Sequence, residues 1–297
     1  MAKILVLGKT GMLGSMVYEH LKQSSKHTVV GTVREEKYTG KKETIKQFDV
    51  KKFLKKQDDF LYLLNFDYII NCIGIIKPHC KDTDPIGVEN AITVNALFPH
   101  MLSDYCKDFS VKIIQITTDC VFSGKEKNYT ENSPHDALDV YGKTKSLGEV
   151  LSKNLLNIRC SIIGPELKTK FNLLEWFLSQ NNDSQLKGFT NHLWNGVTTL
   201  QFAKLCLKII ENDRFTQFMK DTNLYHFVPN NAVTKYELFK LFQEVFKKNV
   251  IVTPVKSEEK INRTLATEHP QFTNFYGHET IHHALLELNN FMEINHK

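Results

Sequence analysis

The sequence has no long apolar run, and this absence argues against a membrane protein. No stretch of about 18 uncharged apolar residues occurs in the 297-residue chain, so no membrane-spanning helix is predicted. The segment MAKILVLG at the start lacks the long apolar region and the small-residue cleavage site of a signal peptide. We therefore expect a cytoplasmic protein with no membrane partner.

The cysteines also lack the spacing of a metal site. The six cysteines form no CxxC pair, and most lie inside apolar runs, where cysteine behaves as a small hydrophobic residue. Free thiols are expected, and no metal ligands are predicted. No repeat of solenoid length and no low-complexity linker interrupts the chain.

The positive charge is dispersed. The formal net charge of +5 is carried by lysine-rich segments such as KKETIK and KKFLKK, which are typical of solvated helix faces. Aromatic residues are not interleaved with these segments, so no nucleic-acid partner is expected. The composition, 41% hydrophobic and 24% charged residues, is that of an ordinary globular protein.

Apolar runs of strand length predict a β-sheet. They lie at residues 3–8, 28–33, 68–74, 112–118 and 156–164. Helix-like stretches such as 12–23 and 89–108 lie between them, which is the alternation of a parallel, doubly wound α/β sheet. Ligands of such sheets bind at the carboxyl ends of the strands.

The sequence predicts two parts that differ in the regularity of their strands and helices. Residues 1–164 carry the regular alternation and are predicted to form the sheet domain, with a returning segment near 197–212. Residues 165–297 have shorter, less regular elements and are predicted to form a smaller substrate-binding lobe interleaved with it.

A glycine-rich turn follows the first strand. Residues 8–14, GKTGMLG, join a strand to a helix, and their GxxGxxG spacing differs by one residue from the dinucleotide fingerprint. The second strand ends at Arg34, and an arginine there suits a 2′-phosphate. With Lys9 inside the turn, NADP is predicted, and NAD is the alternative.

Tyr141 and Lys145 in YGKTK are four residues apart, on one face of a predicted helix. A tyrosine can exchange a proton near neutral pH if a neighbouring cation lowers its pKa, and Lys145 would supply that charge. The alternative is a chance pair on a solvated helix.

The glycine turn, the strand-end TTD at 117–119 and the YGKTK segment resemble the extended short-chain dehydrogenase/reductase family over nearly the whole chain. GKTGMLG and TTDCVFSG are most similar to its dTDP-4-dehydrorhamnose reductase type. The resemblance implies a Rossmann-type α/β fold with a smaller C-terminal lobe. It also implies NADPH-dependent 4-reduction of a nucleotide-linked 4-keto-6-deoxy-L-hexose, carried by UDP or dTDP, with a hydroxyl or an acetamido group at C2.

The resemblance assigns roles to individual residues. Thr118 would be the catalytic hydroxyl, Tyr141 the acid and Lys145 its partner. The cofactor would be contacted by Gly8, Thr10, Gly11, Met12, Leu13, Gly14, Arg34, Asp49, Val50, Cys72, Ile73, Gly74, Asn95, Tyr141, Lys145 and Ile163. The substrate would be contacted by Asp119, Lys170, Trp194, Asn195 and Arg263. For Trp194 the alternative is packing, and for Arg263 an ordinary surface position.

Cys120 separates this chain from related enzymes. The dehydratases of the family carry glutamate at this place, so its replacement favours a reductase. Bifunctional epimerase/reductases carry cysteine there, which makes Cys120 either a base for epimerisation at C3 or C5 or a packing residue. The second acid/base of that step would be Lys168 or Lys170. A sugar-nucleotide epimerase and a non-catalytic NADP-binding regulatory subunit are the competing interpretations of the whole chain, and a homodimer is expected.

Overall fold

Seven parallel strands form the main sheet in a computed structural model of the chain, which describes residues 1–24, 26–35, 44–167 and 169–295. The strands are β1 (Lys3–Leu7), β2 (Thr28–Val33), β3 (Ile45–Gln47), β4 (Tyr68–Asn71), β5 (Lys112–Thr118), β6 (Leu155–Cys160), β7 (Ile162–Ile163), β8 (Gln185–Phe189), β9 (His192–Trp194), β10 (Val197–Thr198), β11 (Leu224–His226), β12 (Val233–Thr234), β13 (Ile251–Val255) and β14 (Ile261–Asn262). The main sheet has the order β11-β6-β5-β4-β1-β2-β3. This is the predicted Rossmann-type α/β fold.

The helices lie between and beside the strands. They are α1 (Met12–Ser24), α2 (Val50–Lys55), α3 (Pro85–Ala91), α4 (Phe98–Cys106), α5 (Val140–Leu147), α6 (Leu173–Leu178), α7 (Thr199–Glu211), α8 (Phe215–Asp221), α9 (Lys235–Val245), α10 (Pro270–Tyr276) and α11 (Ile281–Asn295). Short 3₁₀ segments lie at 57–65, 77–79 and 119–121, and one π-helical turn at 92–97 joins α3 to α4. Among the described helices, none is both long and apolar enough to cross a membrane.

Alternate residues of the central strands face opposite sides of the sheet. Ile4 and Val6 of β1 belong to a core that includes α1 and α7, whereas Leu5 and Leu7 belong to a second core that includes α2 and α4. Side chains of a strand alternate between its two faces, so a strand covered on both sides must be apolar throughout. The continuous apolar run of KILVL satisfies this requirement.

Buried amides cross three central strands. Asn71 of β4 donates from Nδ2 to Oε1 of Gln115 at 2.9 Å, and Gln115 donates to Oδ1 of Asn157 on β6 at 3.2 Å. The same Gln115 amide donates to the carbonyl of Gly148, which follows α5, at 2.8 Å. Buried polar groups need partners, so these bonds fix the register of the three strands and attach α5 to the sheet.

The described structure departs from the predicted strands in four places. The run 68–74 forms a strand only as far as Asn71. The run 156–164 divides, because β6 ends at Cys160 and β7 leaves the main sheet to pair with β10. Strands β3 and β11 were not predicted, since each has only three residues. The main sheet takes its edge strand β11 from beyond residue 164. The division into residues 1–164 and 165–297 stays a prediction.

Three smaller sheets accompany the main sheet in the described structure. Strand β9 pairs with β12 and β14, and β13 pairs with β8. Helix α9 follows β12 directly and begins with a capping box, in which the hydroxyl of Thr234 and the carboxylate of Glu237 each accept a backbone N–H. This arrangement pairs two backbone N–H groups at the start of α9 and so fixes where the helix begins.

The glycine turn needs two of its glycines for backbone reasons. Gly8 has a φ of 80°, in the left-handed region that favours glycine. A Cβ on Gly14 would lie 2.1 Å from the carbonyl oxygen of Gly8, so any side chain there would push α1 away from the turn. A Cβ on Gly11 would lie 3.4 Å from the same oxygen, at ordinary contact distance.

Gly14→Ala is therefore expected to lower the free energy of unfolding by about 1–3 kcal/mol through overpacking. Gly11→Ala is the matched control and should change stability much less. Equilibrium unfolding in urea measures both variants, and equal stability of the two would contradict the close approach of α1 to Gly8.

Candidate active site

Two cavities lie at the carboxyl ends of the main-sheet strands. The larger has a volume of about 660 Å³ and the smaller about 390 Å³; we call them the large cavity and the small cavity. Gly11 and residues 72–75 line both, so the two form one continuous cleft. Its position agrees with the general rule for ligand sites in open α/β sheets.

The large cavity brings together residues from β5 and α5. Thr118 is the last residue of β5, and Tyr141 and Lys145 lie on one face of α5; all three line the cavity. The carboxylate of Asp139 caps the N-terminus of α5 and also pairs with Lys77 at 2.8 Å. Ile163, Asp119, Cys120 and Trp194 line the same cavity.

Burial dominates the acidity of Tyr141. It raises the pKa of the phenol well above its usual range, with nearby Cys120 and Asp119 acting in the same direction, while the Thr118 hydroxyl opposes them. Desolvation of the phenolate outweighs every favourable contact, and the lowering of this pKa by Lys145 stays a prediction. Tyr141 therefore carries its proton at neutral pH.

Lys145 is half-buried in the wall of the large cavity. Its Nζ donates to the carbonyl of Ile116 at 3.2 Å. Burial lowers the pKa of Lys145 to about 8, although the Glu149 carboxylate acts to raise it. The ammonium is therefore mostly charged at neutral pH and loses its charge in mildly alkaline solution.

Cys120 lies in a one-turn 3₁₀ segment and donates its backbone N–H to Oγ1 of Thr118 at 3.1 Å. Its side chain lines the large cavity. Burial, with a further contribution from Asp119, raises the pKa of this thiol to about 12. A thiol that is protonated at neutral pH is a weak base for removing a proton from carbon.

A buried ionic network that sequence analysis missed lies below Lys145. Arg159 is fully buried and donates to both carboxylate oxygens of Glu149, with Nε at 3.0 Å from Oε1. The hydroxyl of Thr117 donates to the same Oε1 at 2.6 Å. An Arg within an apolar strand, LLNIRC, and a Glu ten residues before it were the available signals.

The small cavity is lined by residues that were predicted to contact the cofactor. It is lined by Gly8, Thr10, Gly11, Arg34, Asp49, Val50, Cys72, Ile73 and Gly74. Asp49 also caps α2, accepting the backbone N–H of Lys52 at 2.9 Å. Lys9 lines neither cavity; its ammonium lies 4.0 Å from the ring centroid of Tyr18, so it adds nothing there in favour of a 2′-phosphate.

Some predicted contact residues line neither cavity: Gly14, Asn95, Lys170, Asn195 and Arg263. The amide of Asn95 accepts the N–H of Ile75 at 2.8 Å and donates to its carbonyl at 3.0 Å, so Asn95 shapes the cavity wall from behind. Asn195 makes the same two bonds with the backbone of Leu265.

The remaining predicted residues lie at the border of the site. Arg263 donates from Nε to the carbonyl of Phe122 at 2.8 Å. Trp194 is buried and donates from Nε1 to Oγ of Ser161 at 2.8 Å, with part of its side chain in the large cavity. Lys168 lies outside the described residues.

Lys235 lines the large cavity and was missed by sequence analysis. It is the first residue of α9, in the segment TKYE. The capping pattern of Thr234 and Glu237 could have located the start of a helix, but no sequence signal places that start against the end of β5.

His226 connects the Arg159 network to β11. Its Nδ1 faces the carbonyl of Ala266 at 2.6 Å and its Nε2 faces Arg159 at 2.6 Å, so Nδ1 donates and Nε2 accepts. Burial lowers the pKa of His226 to about 4, and the positive charge of Arg159 acts in the same direction. The imidazole is neutral in the folded protein.

Protonation of His226 thus favours the unfolded state, whose histidine titrates near about 6.5. The contribution to stability is fully present above that pH and is expected to be lost as the pH falls toward 4. Urea unfolding at a series of pH values should show a shallower decline for His226→Gln than for wild type; parallel curves would contradict the neutral, buried imidazole.

Comparison with solved structures shows the same fold. A dTDP-4-dehydrorhamnose reductase from Clostridium acetobutylicum superposes with a TM-score of 0.75 at 20% identity, covering 98% of this chain and 99% of that one. The dTDP-4-dehydrorhamnose reductase of Bacillus anthracis in complex with NADP superposes with a TM-score of 0.74 at 17% identity, covering 98% and 99%.

Sequence comparison gives a second kind of relative. Methionine adenosyltransferase 2 subunit beta of Mus musculus is 26% identical in an alignment of 251 positions that covers 80% of this chain and 70% of that protein. The family model described as the RmlD substrate binding domain matches residues 2–293. The chain belongs to the RmlD substrate binding domain family.

Proposed function

We propose that the protein is an NADPH-dependent 4-reductase of a nucleotide-linked 4-keto-6-deoxy-L-hexose. The observation that carries the proposal is that Thr118, Tyr141 and Lys145 line one cavity of about 660 Å³, which continues into the small cavity beside the glycine turn. The dTDP-4-dehydrorhamnose reductases with the same fold, one of them in complex with NADP, support this assignment.

The residues of the small cavity fit a dinucleotide. Thr10 and Gly11 stand just before α1, whose unpaired N-terminal amides favour an anionic group, and the left-handed Gly8 turns the chain sharply around that position. Arg34 stands at the end of β2, where its guanidinium would hold a 2′-phosphate. When bound, the nicotinamide supplies a hydride for a ketone carbon.

Tyr141 is proposed as the proton donor. Its protonated phenol can give a proton to the ketone oxygen as negative charge develops there, and the Thr118 hydroxyl can donate to the same oxygen. In the described structure that hydroxyl donates to Oδ1 of Asp119 at 3.2 Å. The charged Lys145 would stabilise the tyrosinate left after proton transfer.

The sugar is proposed to occupy the large cavity between Asp119 and Trp194, which both line it. Contacts from Lys170, Asn195 and Arg263 stay predictions. The epimerase step is a separate prediction that rests on Cys120. Because the pKa of that thiol is raised to about 12, chiefly by burial, we propose reduction without deprotonation by Cys120.

A second candidate is a non-catalytic NADP-binding regulatory subunit, favoured by the similarity to methionine adenosyltransferase 2 subunit beta. The two candidates differ in turnover. Purified protein mixed with NADPH and UDP- or dTDP-linked 4-keto-6-deoxyhexoses should oxidise NADPH, measured by nicotinamide absorbance. Binding of NADPH without oxidation by any such ketone would favour the regulatory subunit. The cytoplasmic location and the homodimer stay predictions.

Tyr141→Phe is expected to lower kcat by about a hundredfold to ten-thousandfold, because it deletes the proton donor, while NADPH affinity stays near that of wild type. Tyr105→Phe is the matched control, since the hydroxyl of Tyr105 donates to the carbonyl of Gln57 at 3.2 Å and lines neither cavity. Steady-state kinetics and NADPH titration measure both variants. Unchanged turnover in Tyr141→Phe would remove it from the mechanism.

Arg34→Asp is expected to shift the preference from NADPH toward NADH by about tenfold or more, since a carboxylate repels a 2′-phosphate and accepts a ribose hydroxyl. Arg214→Asp makes the same charge change at an exposed position away from both cavities. The ratio of kcat/KM for the two cofactors is the measurement. A ratio equal to that of the Arg214 variant would leave Arg34 without a role in cofactor choice.

A further inference from the structure

Lys235 places an ammonium group in the large cavity. It shares the cavity wall with Asp119, Cys120 and Trp194, and its Nζ lies 5.6 Å from the ring centroid of the tryptophan. Within the described residues, no hydrogen-bond acceptor or carboxylate lies at bonding distance from this Nζ.

The ammonium groups of the other two described lysines that line the large cavity have bonding partners. Lys77 pairs with Asp139 at 2.8 Å, and Lys145 donates to the carbonyl of Ile116 at 3.2 Å. Lys235 differs from both because its ammonium stands in the cavity wall with no such bond to the described part of the chain.

The position of Lys235 is unfavourable for stability. Burial lowers its pKa to about 8; the charges of Asp119 and Cys120 act to raise it, and that of Arg263 to lower it further. Lys235 is also the first residue of α9, where the helix dipole disfavours a cation. A desolvated cation gains most from an acceptor that arrives with a ligand.

The residues around Lys235 indicate that the acceptor belongs to the sugar and not to the nucleotide of the cofactor. Asp119 and Cys120 directly follow Thr118 in the chain, so Lys235 faces the end of the cleft where Thr118 and Tyr141 meet. Arg34 and Asp49 line the small cavity, which Lys235 does not reach.

We propose that Lys235 is a specificity-determining residue that donates to an oxygen acceptor carried by the sugar, in the part of the cleft that holds the reacting carbon. The inference rests on the proposed function, because Thr118 and Tyr141 define the sugar end of the cleft. The acceptor is a hydroxyl or an acetamido carbonyl oxygen, both of which the proposed 6-deoxyhexose can carry.

The test is calorimetric binding of nucleotide sugars to protein saturated with NADP⁺. The probes are the UDP and dTDP forms of glucose and N-acetylglucosamine, which present the two acceptors on matched carriers. Lys235→Met is expected to weaken binding of the preferred probe by about tenfold or more, the usual worth of a hydrogen bond to a charged group. Lys240→Met, at an exposed position of the same helix α9, is the matched control and should bind as wild type does.

The pH dependence of binding separates a direct contact from a structural effect. With a pKa of about 8, the charged fraction of Lys235 falls about tenfold between pH 7 and pH 9, so wild-type affinity should fall by a similar factor. This fall of affinity between pH 7 and pH 9 should be missing in Lys235→Met and present in Lys240→Met. Lys235→Met should also be at least as stable as wild type in urea, because it removes a desolvated cation from a helix N-terminus.

The outcomes distinguish this inference from the proposed function. In one outcome, wild type turns over NADPH, and the two lysine variants bind the probes equally and with the same dependence of affinity on pH. This outcome would overturn the role of Lys235 and leave the reductase intact. Loss of probe binding in Lys235→Met alone, without NADPH turnover by wild type, would support Lys235 and overturn the reductase. Failure of wild type to bind any of the probes would overturn the role of Lys235.

Discussion

The buried amides of Asn71, Gln115 and Asn157 fix the register on which the site depends. They stand opposite one another on β4, β5 and β6, and each finds its partner only in this alignment. A slip by one residue would turn these side chains to the other face of the sheet and leave their amides unpaired. The bond from Gln115 to Gly148 extends the same constraint to α5, so Thr118 and the helix carrying Tyr141 are positioned by one set of bonds.

Desolvation is the common physical cause of the site's electrostatics. It raises the pKa of Tyr141 and of Cys120 and lowers that of Lys145 and of Lys235, in each case favouring the neutral form. The phenol therefore holds a proton to donate, whereas the thiol is a poor base. The two lysines differ in their contacts, because Lys145 is bonded to the backbone of Ile116 and Lys235 has no bond to the residues that the structure describes. We therefore propose different roles for them: Lys145 assists proton transfer by Tyr141, and Lys235 binds the sugar.

Sequence patterns were sufficient to predict those features of the molecule that depend on short segments of the chain. The apolar runs of β1, β2, β4 and β5 lie where they were predicted, because a strand covered on both faces must be apolar throughout. Thr118, Tyr141 and Lys145 could be proposed because a strand end and a helix turn carry them. Lys235 and the Glu149–Arg159 pair could not, since their meaning lies in which distant segments the fold brings together. The raised pKa of Tyr141 could not be predicted for the same reason, because its cause is burial, which is a property of the folded chain.

The most direct measurement follows a labelled hydride. Protein is incubated with NADPH carrying deuterium at the transferable position of nicotinamide C4 and with a nucleotide-linked 4-keto-6-deoxyhexose, and the product is examined by NMR. The account predicts one deuterium at C4 of the sugar and none from the label elsewhere on the ring. Oxidation of NADPH without deuterium at C4, or a product unchanged from the ketone, would contradict it.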